Sequence, residues 1–341
     1  MRYFALATDY DGTLASQGVV DDATVRALKR FVASGRKLVL VTGRQLDELE
    51  QVFPHLALFE RVVAENGAVL FTPSSREVRA LEPPPNPAWI AELKARGVEP
   101  LAVGHVIVAT REPHEATVLD VIRAMGLELH VEFNKGSVMV LPAGVTKATG
   151  LAAALLEMGL SPHNVVGVGD AENDHALLGL SECGVSVANA LPSLKDRSDW
   201  VTSATHGAGV AELIDRLLAD DLRARAPVRR RIHVGKDADG QPLSLEPYGR
   251  SVLITGFSRP ARGAIATALL ERLRDAHYQL CLVDPDGTHD EFPAGAVVGG
   301  EGHPPAVEDV ARSLADPRRS VVANLAAMPL EGRAPWFAAL L

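Results

Sequence analysis

Cysteine is nearly missing from this 341-residue chain: there are two, Cys183 and Cys281. Both lie in apolar, strand-like surroundings, which excludes a disulfide-built secreted module and points to reduced side chains in a cytosolic setting. Long apolar runs are missing too, and none reaches the length needed to cross a bilayer. The amino terminus enters a strand-like segment without the pattern of a signal peptide. The expected location is therefore the cytoplasm, with no membrane partner. Low-complexity tracts are absent, while 47% of the residues are hydrophobic and 23% charged, so most of the chain is expected to fold around a sizeable core. Excess positive charge is also lacking. The formal net charge of -9 argues against general nucleic-acid binding, but not against a small anion held by a local cation. The length suits two or three domains.

What the chain does contain is polar chemistry at the ends of apolar runs. Residues 2–8 read as a strand buried on both faces, as at the centre of a parallel sheet. The run delivers Asp9 and Asp11 around Tyr10, followed by Gly12 and Thr13. Side chains two positions apart point the same way if strand geometry persists. Two such carboxylates repel unless a hard cation with oxygen ligands compensates; a plain acidic turn is the alternative. Residues 37–42 form a second such run, ending in Thr42, Gly43 and Arg44. Residues 61–64 and 68–71 read as a strand and its return through the Asn66-Gly67 pair. A proline-rich stretch, 82–87, breaks the rhythm. After it comes a small α+β segment ending in a hairpin, which reads as an insertion into the larger sheet. Thr146 and Lys147 then open a helix, and the run 164–169 delivers Asp170, with Asn173 and Asp174 in the turn after it.

Open parallel sheets bind ligands beyond the carboxyl ends of their strands. There this sequence collects Asp9 with Asp11, Asp170 with Asp174, the Thr42 hydroxyl and the Lys147 ammonium. An oxygen-rich metal nest beside hydroxyl, amide and ammonium groups suits phosphoryl transfer, where positioning and electrostatics carry the reaction. It suits glycoside cleavage poorly. Plainer alternatives stand beside the functional ones: Thr42 as a helix cap, Lys147 as a solvated first-turn lysine, Arg44 as the partner of a neighbouring acid.

The ordered set Asp9-Tyr10-Asp11-Gly12-Thr13, Val41-Thr42-Gly43-Arg44, Lys147 and Gly169-Asp170-Ala171-Glu172-Asn173-Asp174 resembles the four motifs of the haloacid dehalogenase-like hydrolases, over roughly residues 2–218. The insertion resembles the cap of subclass IIB, the Cof and sucrose-phosphate phosphatase kind. The resemblance implies a three-layer Rossmann-like α/β core, residues 1–75 and 144–220, with an inserted α+β cap, residues 76–143, that selects the substrate. It implies Asp9 as nucleophile, Asp11 as acid and base, and Mg²⁺ held by Asp9, the backbone carbonyl of Asp11, and Asp170. Asp174, Asn173 and Arg44 would support them, and Thr42, the N–H of Gly43 and Lys147 would bind the phosphoryl oxygens. The implied activity is hydrolysis of a small phosphorylated metabolite, a sugar phosphate by this subclass. In the cap, His105, Arg111, His114, Asn134 and Lys135 are candidates to face the substrate. His175 reads as structural.

The remainder divides into a basic linker with two short strands, 221–247, and a second α/β domain, 248–341. A buried strand at 249–256, a glycine-containing loop and a helix from residue 263 resemble a P-loop ATPase of the HerA-like kind. The loop departs from that pattern: Ala261 replaces the second glycine, Arg262 the lysine, and Gly263 the hydroxyl residue. Gly256 and Arg262 therefore belong to a degenerate loop and no competent ATPase is expected, while nucleotide binding by the domain and its truncation are left open. Contact with a protein partner or self-association is the expected role. Two other functions stay open for the whole chain: a nucleotide- or protein-binding scaffold with a residual hydrolase site, and a phosphomutase.

Overall fold

In the first half of the computed structural model the elements run β1 (Ala5–Thr8), α1 (Asp22–Ala33), β2 (Lys37–Val41), α2 (Leu46–Val52), β3 (Arg61–Ala64), β4 (Val69–Thr72) and β5 (Glu77–Ala80). The cap comes next with α3 (Pro87–Ala95), β6 (Ala102–Val103), β7 (Val108–Arg111), α4 (Glu115–Ala124), β8 (Leu129–Asn134) and β9 (Ser137–Pro142). The chain then returns through α5 (Lys147–Glu157), β10 (Val165–Gly169), α6 (Asp174–Leu180), β11 (Cys183–Ser186), α7 (Pro192–Lys195), β12 (Trp200–Val201) and α8 (His206–Asp220). The structure describes residues 1–134, 136–289, 292, 295–300 and 302–341, and only the backbone of residues 134 and 259. It separates into two units, Met1–Pro227 and Val228–Leu341.

The first unit is built on an eight-stranded sheet in the order β12-β11-β10-β1-β2-β3-β4-β5. β1 is buried at every position and pairs in parallel with β10 and with β2. Only the β3-β4-β5 edge is antiparallel. Helices cover both faces, α1 packing with α8 and α5 with α6, which makes the three-layer Rossmann-like core. The forces are local as well as tertiary. Asp21 caps α1, its carboxylate accepting from the Thr24 N–H at 2.7 Å, and Val25, Leu28 and Phe31 are buried along one face. Each such side chain contributes about 1.5–3 kcal/mol by leaving water. β5 pairs with β4, so the core sheet runs past residue 75, where its first segment was expected to stop. The polar turn at 73–76 simply folds the chain back for one more strand.

The inserted cap is an antiparallel sheet in the order β6-β7-β9-β8. On one face Val108 and Val140 pack with Trp89, Leu93 and Val121 from α3 and α4. Strand alternation turns Ala109, Ser137 and Met139 to the other face. Lys135 lies outside the described residues.

The second unit contains a hairpin, β13 (Ile232–Lys236) with β14 (Pro242–Leu245). It continues with α9 (Arg259–Asp275), β15 (Cys281–Asp284), β16 (Gly295–Gly299), α10 (Val307–Leu314), β17 (Ser320–Asn324) and α11 (Leu330–Leu340). Its parallel sheet runs β15-β17-β16 over a core of Val310, Val321, Ala323, Leu325 and Trp336. The strand expected at 249–256 does not form. Residues 251–256 carry no strand, and Val252, Leu253 and Phe257 are exposed. An apolar run has strand propensity, but a strand forms only where it pairs, and residues 251–256 pair with none of the described strands. α9 starts at Arg259 rather than Gly263, capped by Ser258, whose hydroxyl accepts from Ala261 N at 3.3 Å. Arg262 turns back to donate to the carbonyl of Gly256. A phosphate-binding loop requires a strand feeding a helix N-terminus, and among the described residues no strand feeds α9. No described helix is long and apolar enough to cross a membrane.

Candidate active site

The parallel pairing that ends β1 extends one residue further, Asp9 N donating to Val168 O at 3.0 Å. This holds Asp9 at the carboxyl end of the central strand, 4% exposed. After it the chain turns. Ala15 N donates to Tyr10 O at 2.8 Å and Gly12 N to Ala15 O at 3.0 Å, with Gly12 at φ +88°, a conformation that favours glycine. Strand geometry therefore does not persist, and the two acids do not point the same way. Asp11 faces Arg44, accepting from Nε at 2.6 Å and from Nη2 at 2.7 Å. Its side chain is not a metal ligand in this arrangement. The family resemblance implies a metal contact through its backbone carbonyl instead.

At the end of β10, Gly169 allows a close approach. A Cβ there would sit 2.5 Å from the Cβ of Asp174. Asp174 uses both oxygens on its surroundings: Oδ2 accepts from the N–H of Asp170 at 2.9 Å and of Ala171 at 3.0 Å, and Oδ1 accepts from Lys147 Nζ at 2.6 Å. The same ammonium donates to Asp9 Oδ1 at 2.6 Å. Lys147 is the first residue of α5, behind a Thr146–Thr149 capping box, and its side chain is 1% exposed. The solvated-lysine alternative is thereby excluded. Burial alone would lower this ammonium, but Asp174 and Asp9 outweigh it and hold the group above the usual lysine range.

Oxygens of Asp9, Asp170 and Asp174 lie within 4.8 Å of one another, all buried. Three carboxylates facing one ammonium leave negative charge in a place that penalises it. Burial pushes the Asp9 carboxyl up to about 7, with Lys147 pulling it down and Asp174 adding to the rise. A hard divalent cation relieves that strain, so the donor set fits Mg²⁺. Asp174 already accepts three hydrogen bonds, and it completes the donor set that such an ion would meet together with Asp9 and Asp170. Thr13 orients the latter, its hydroxyl donating to Asp170 Oδ1 at 3.1 Å.

Thr42 is buried beside this cluster. Its N–H continues the sheet to Val63 O at 2.8 Å, and its hydroxyl accepts from Arg44 N at 3.1 Å. α2 begins at Leu46 with Gln45 at the cap position, so Thr42 is not a helix cap. Gly43 faces the cap domain: a Cβ there would come 3.5 Å from Met139 Sδ. Asn173 donates to Asn66 Oδ1 at 3.0 Å, and Asn66 in turn donates to Glu132 on β8.

Two residues that the sequence pattern did not single out tie the cap to the core. Glu65, fully buried, accepts from three successive N–H groups of the β6–β7 connection: His105 at 2.8 Å, Val106 at 2.8 Å and Ile107 at 3.0 Å. Asn66 bridges the Asp170–Asp174 turn to β8. Their only signal in the sequence is the Asn66-Gly67 pair, which reads as an ordinary hairpin turn; Glu65 and Asn66 have φ of 51° and 56°. Among the cap candidates, His105 lies against Glu65, His114 contacts the Glu99 carbonyl at 2.8 Å, and Arg111 sits opposite Ser137. The Asn134 side chain lies outside the described structure, as does Lys135. A cavity of about 380 Å³ covers the site, its floor including Asp9, Asp11 and Arg44, its roof Ala109, Ser137 and Met139.

The haloacid dehalogenase-like hydrolase family matches residues 6–83 and 106–214. The chain belongs to this family. The phosphoglycolate phosphatase 2 of Saccharolobus solfataricus is 28% identical over 227 residues, 64% of this chain and 93% of that protein. The phosphoglycolate phosphatase of Methanothermobacter thermautotrophicus is 31% identical over 224 residues, 63% of this chain and 98% of that one. A haloacid dehalogenase-like hydrolase from Bacteroides thetaiotaomicron superposes with a TM-score of 0.55 at 21% identity, covering 63% of this chain and 99% of its own. A subclass IIB sugar phosphatase superposes at 0.53 and 21%, covering 62% and 98%. At those identities the solved structures establish the fold. With the buried aspartates in place, this haloacid dehalogenase-like chain is a phosphatase that uses Mg²⁺ as cofactor.

Proposed function

We propose that the enzyme hydrolyses a small phosphorylated carboxylic acid of the phosphoglycolate kind, through an aspartyl-phosphate on Asp9. The observation that carries this reading is Asp9, held by the buried Lys147 behind it, at the floor of a small cavity whose roof, among the described residues, is poor in hydrogen-bonding groups. Ala109 and Met139 on that roof offer nothing to a sugar hydroxyl, and Ser137 offers one partner. Buried hydroxyls left unpaired are penalised. A short acid bearing few hydroxyls suits such a roof better than a sugar phosphate, and the names of the two archaeal relatives favour the same class.

In this reading a carboxylate oxygen of Asp9 attacks phosphorus as the ester P–O bond breaks, and Asp11 gives its proton to the departing oxygen. Water then attacks the aspartyl-phosphate and yields its proton to Asp11, which restores Asp9. Thr42, the N–H of Gly43 and Lys147 hold the phosphoryl oxygens. Asp174 fixes Lys147 and the turn bearing Asp170. Asp9, Asp170 and the Asp11 carbonyl would hold Mg²⁺, which when bound would supply the positive charge that lets an anionic nucleophile meet an anionic phosphate. The second unit serves contact rather than nucleotide hydrolysis; the absence of a strand before α9 supports this.

Phosphate release from 2-phosphoglycolate and from a panel of sugar phosphates, with Mg²⁺ and with EDTA, tests the reading. The expected result is Mg²⁺-dependent release favouring phosphoglycolate, abolished in Asp9→Asn with the thermal transition preserved. Full activity in Asp9→Asn refutes the nucleophile, and a preference for sugar phosphates refutes the substrate class.

A further inference from the structure

The one cation among the described residues lining the cavity is Arg44. Three groups hold its guanidinium. Asp11 takes Nε and Nη2, Glu48 one turn further along pairs with Nη1, and the Tyr10 ring centroid lies 5.4 Å from Cζ. The Arg44 side chain is 19% exposed and that of Asp11 37%, so the acid is the more accessible member of the pair. Gln45 lines the same cavity, and its Nε2 is buried with no hydrogen-bond partner among the described residues. A buried donor in that condition is unfavourable until an acceptor reaches it.

Resting on the reading of the substrate as a phosphorylated acid, we propose that Arg44 and Gln45 form the subsite for its carboxylate, which displaces Asp11 from the guanidinium. Carboxylate replaces carboxylate, so the two charge-assisted hydrogen bonds to the guanidinium fork are conserved. Gln45 gains the acceptor it lacks. Glu48 and Tyr10 keep the guanidinium in place while Asp11 turns away, toward the leaving oxygen that it serves. Recognition of the second anion and the release of Asp11 are then one event. A phosphomonoester without a second anion leaves Asp11 on Arg44 and turns over slowly even when bound.

The test compares 2-phosphoglycolate with ethyl phosphate, which lacks the carboxylate, on the full chain with Mg²⁺. The wild type should favour phosphoglycolate in kcat/KM by about 100-fold or more, the scale expected where a site is built to pair a polar group. Arg44→Gln should lower kcat/KM for phosphoglycolate by about 10- to 100-fold, the scale of a lost charged hydrogen-bond pair, and raise kcat for ethyl phosphate, since Asp11 is then released from the guanidinium. Arg44→Lys should fall between, since it keeps the charge without the fork, and Gln45→Ala should cost phosphoglycolate alone about five- to tenfold. Calorimetric binding of phosphoglycolate in Asp9→Asn should weaken in parallel when Arg44→Gln is added. A wild type with no preference overturns the substrate reading and the subsite together. A wild-type preference that survives Arg44→Gln overturns the subsite alone, as does an equal loss on both substrates in Arg44→Lys and Gln45→Ala.

Discussion

Replacing Lys147 by Met keeps the length of the side chain and removes its charge. In the wild type that ammonium satisfies two buried carboxylates at 2.6 Å each, Asp9 and Asp174. Taking one partner out of a buried ion pair costs about 3–5 kcal/mol, because the charge left behind has lost its solvent and its counterion. For a unit of this size that loss corresponds to a fall in Tm of roughly 6–20 °C. The penalty should depend on pH. The Asp9 carboxyl in the folded wild type already titrates near 7, above its ordinary value of 3.8. Its contribution to metal-free stability is therefore full below pH 4 and fades as pH rises through 7. Without Lys147 the carboxyl is pushed higher still, so Lys147→Met should be most destabilised at pH 8 in EDTA. At pH 5 Asp9 takes up a proton, and the penalty should shrink toward that of lost hydrogen bonds, about 1–3 kcal/mol. Mg²⁺ at saturation should stabilise the variant more than the wild type, by supplying the missing positive charge. Urea unfolding of the full chain, combined with hydrogen exchange at the β1 and β10 amides to isolate the first unit, measures all three effects. A variant as stable as wild type at pH 8 in EDTA, or a loss that does not change with pH, would refute this balance of charges.

Mg²⁺ affinity should rise with pH up to about 7 and then level off, because below that value Asp9 keeps a proton that the ion must displace; titration calorimetry in two buffers of different ionisation enthalpy detects the released proton. Gly67→Ala should destabilise the first unit by about 3 kcal/mol or more. Gly67 has φ +110°, and a Cβ there would lie 2.0 Å from the Thr146 carbonyl and 3.2 Å from Lys147 N, so urea titration and phosphate release should both suffer as the start of α5 is displaced. Glu65→Ala leaves the N–H groups of His105, Val106 and Ile107 without their acceptor, at about 2–4 kcal/mol in total. The expected readout is faster exchange at those amides and a higher KM; unchanged exchange would show that the cap does not depend on this anchor.

Much of the site could be read along the chain because a strand buried in a parallel sheet is an apolar run, and the residues just past its carboxyl end sit by position where ligands bind. Asp9, Thr42 and Asp170 were legible for that reason, and Lys147 because a capping threonine marks the helix it opens. The apolar run at 249–256 shows the limit of the same signal, since it has the composition of a buried strand yet pairs with none of the described strands. Asp11 shows another: its direction depends on where strand geometry stops, and the turn closed by Ala15 decides that. Glu65 was invisible because its three partners lie some forty residues away in the inserted domain.

By itself, then, the sequence determined the order of the strands along the chain, the identity of the polar groups at their ends and the presence of an insertion, all of which are carried by local pattern. Only the tertiary structure decided that one ammonium is shared between Asp9 and Asp174, that Asp11 belongs to Arg44, and that Glu65 and Asn66 fasten the roof to the floor. Those are relations between groups remote in sequence, and they exist only once pairing of the parallel strands has brought the strand ends together.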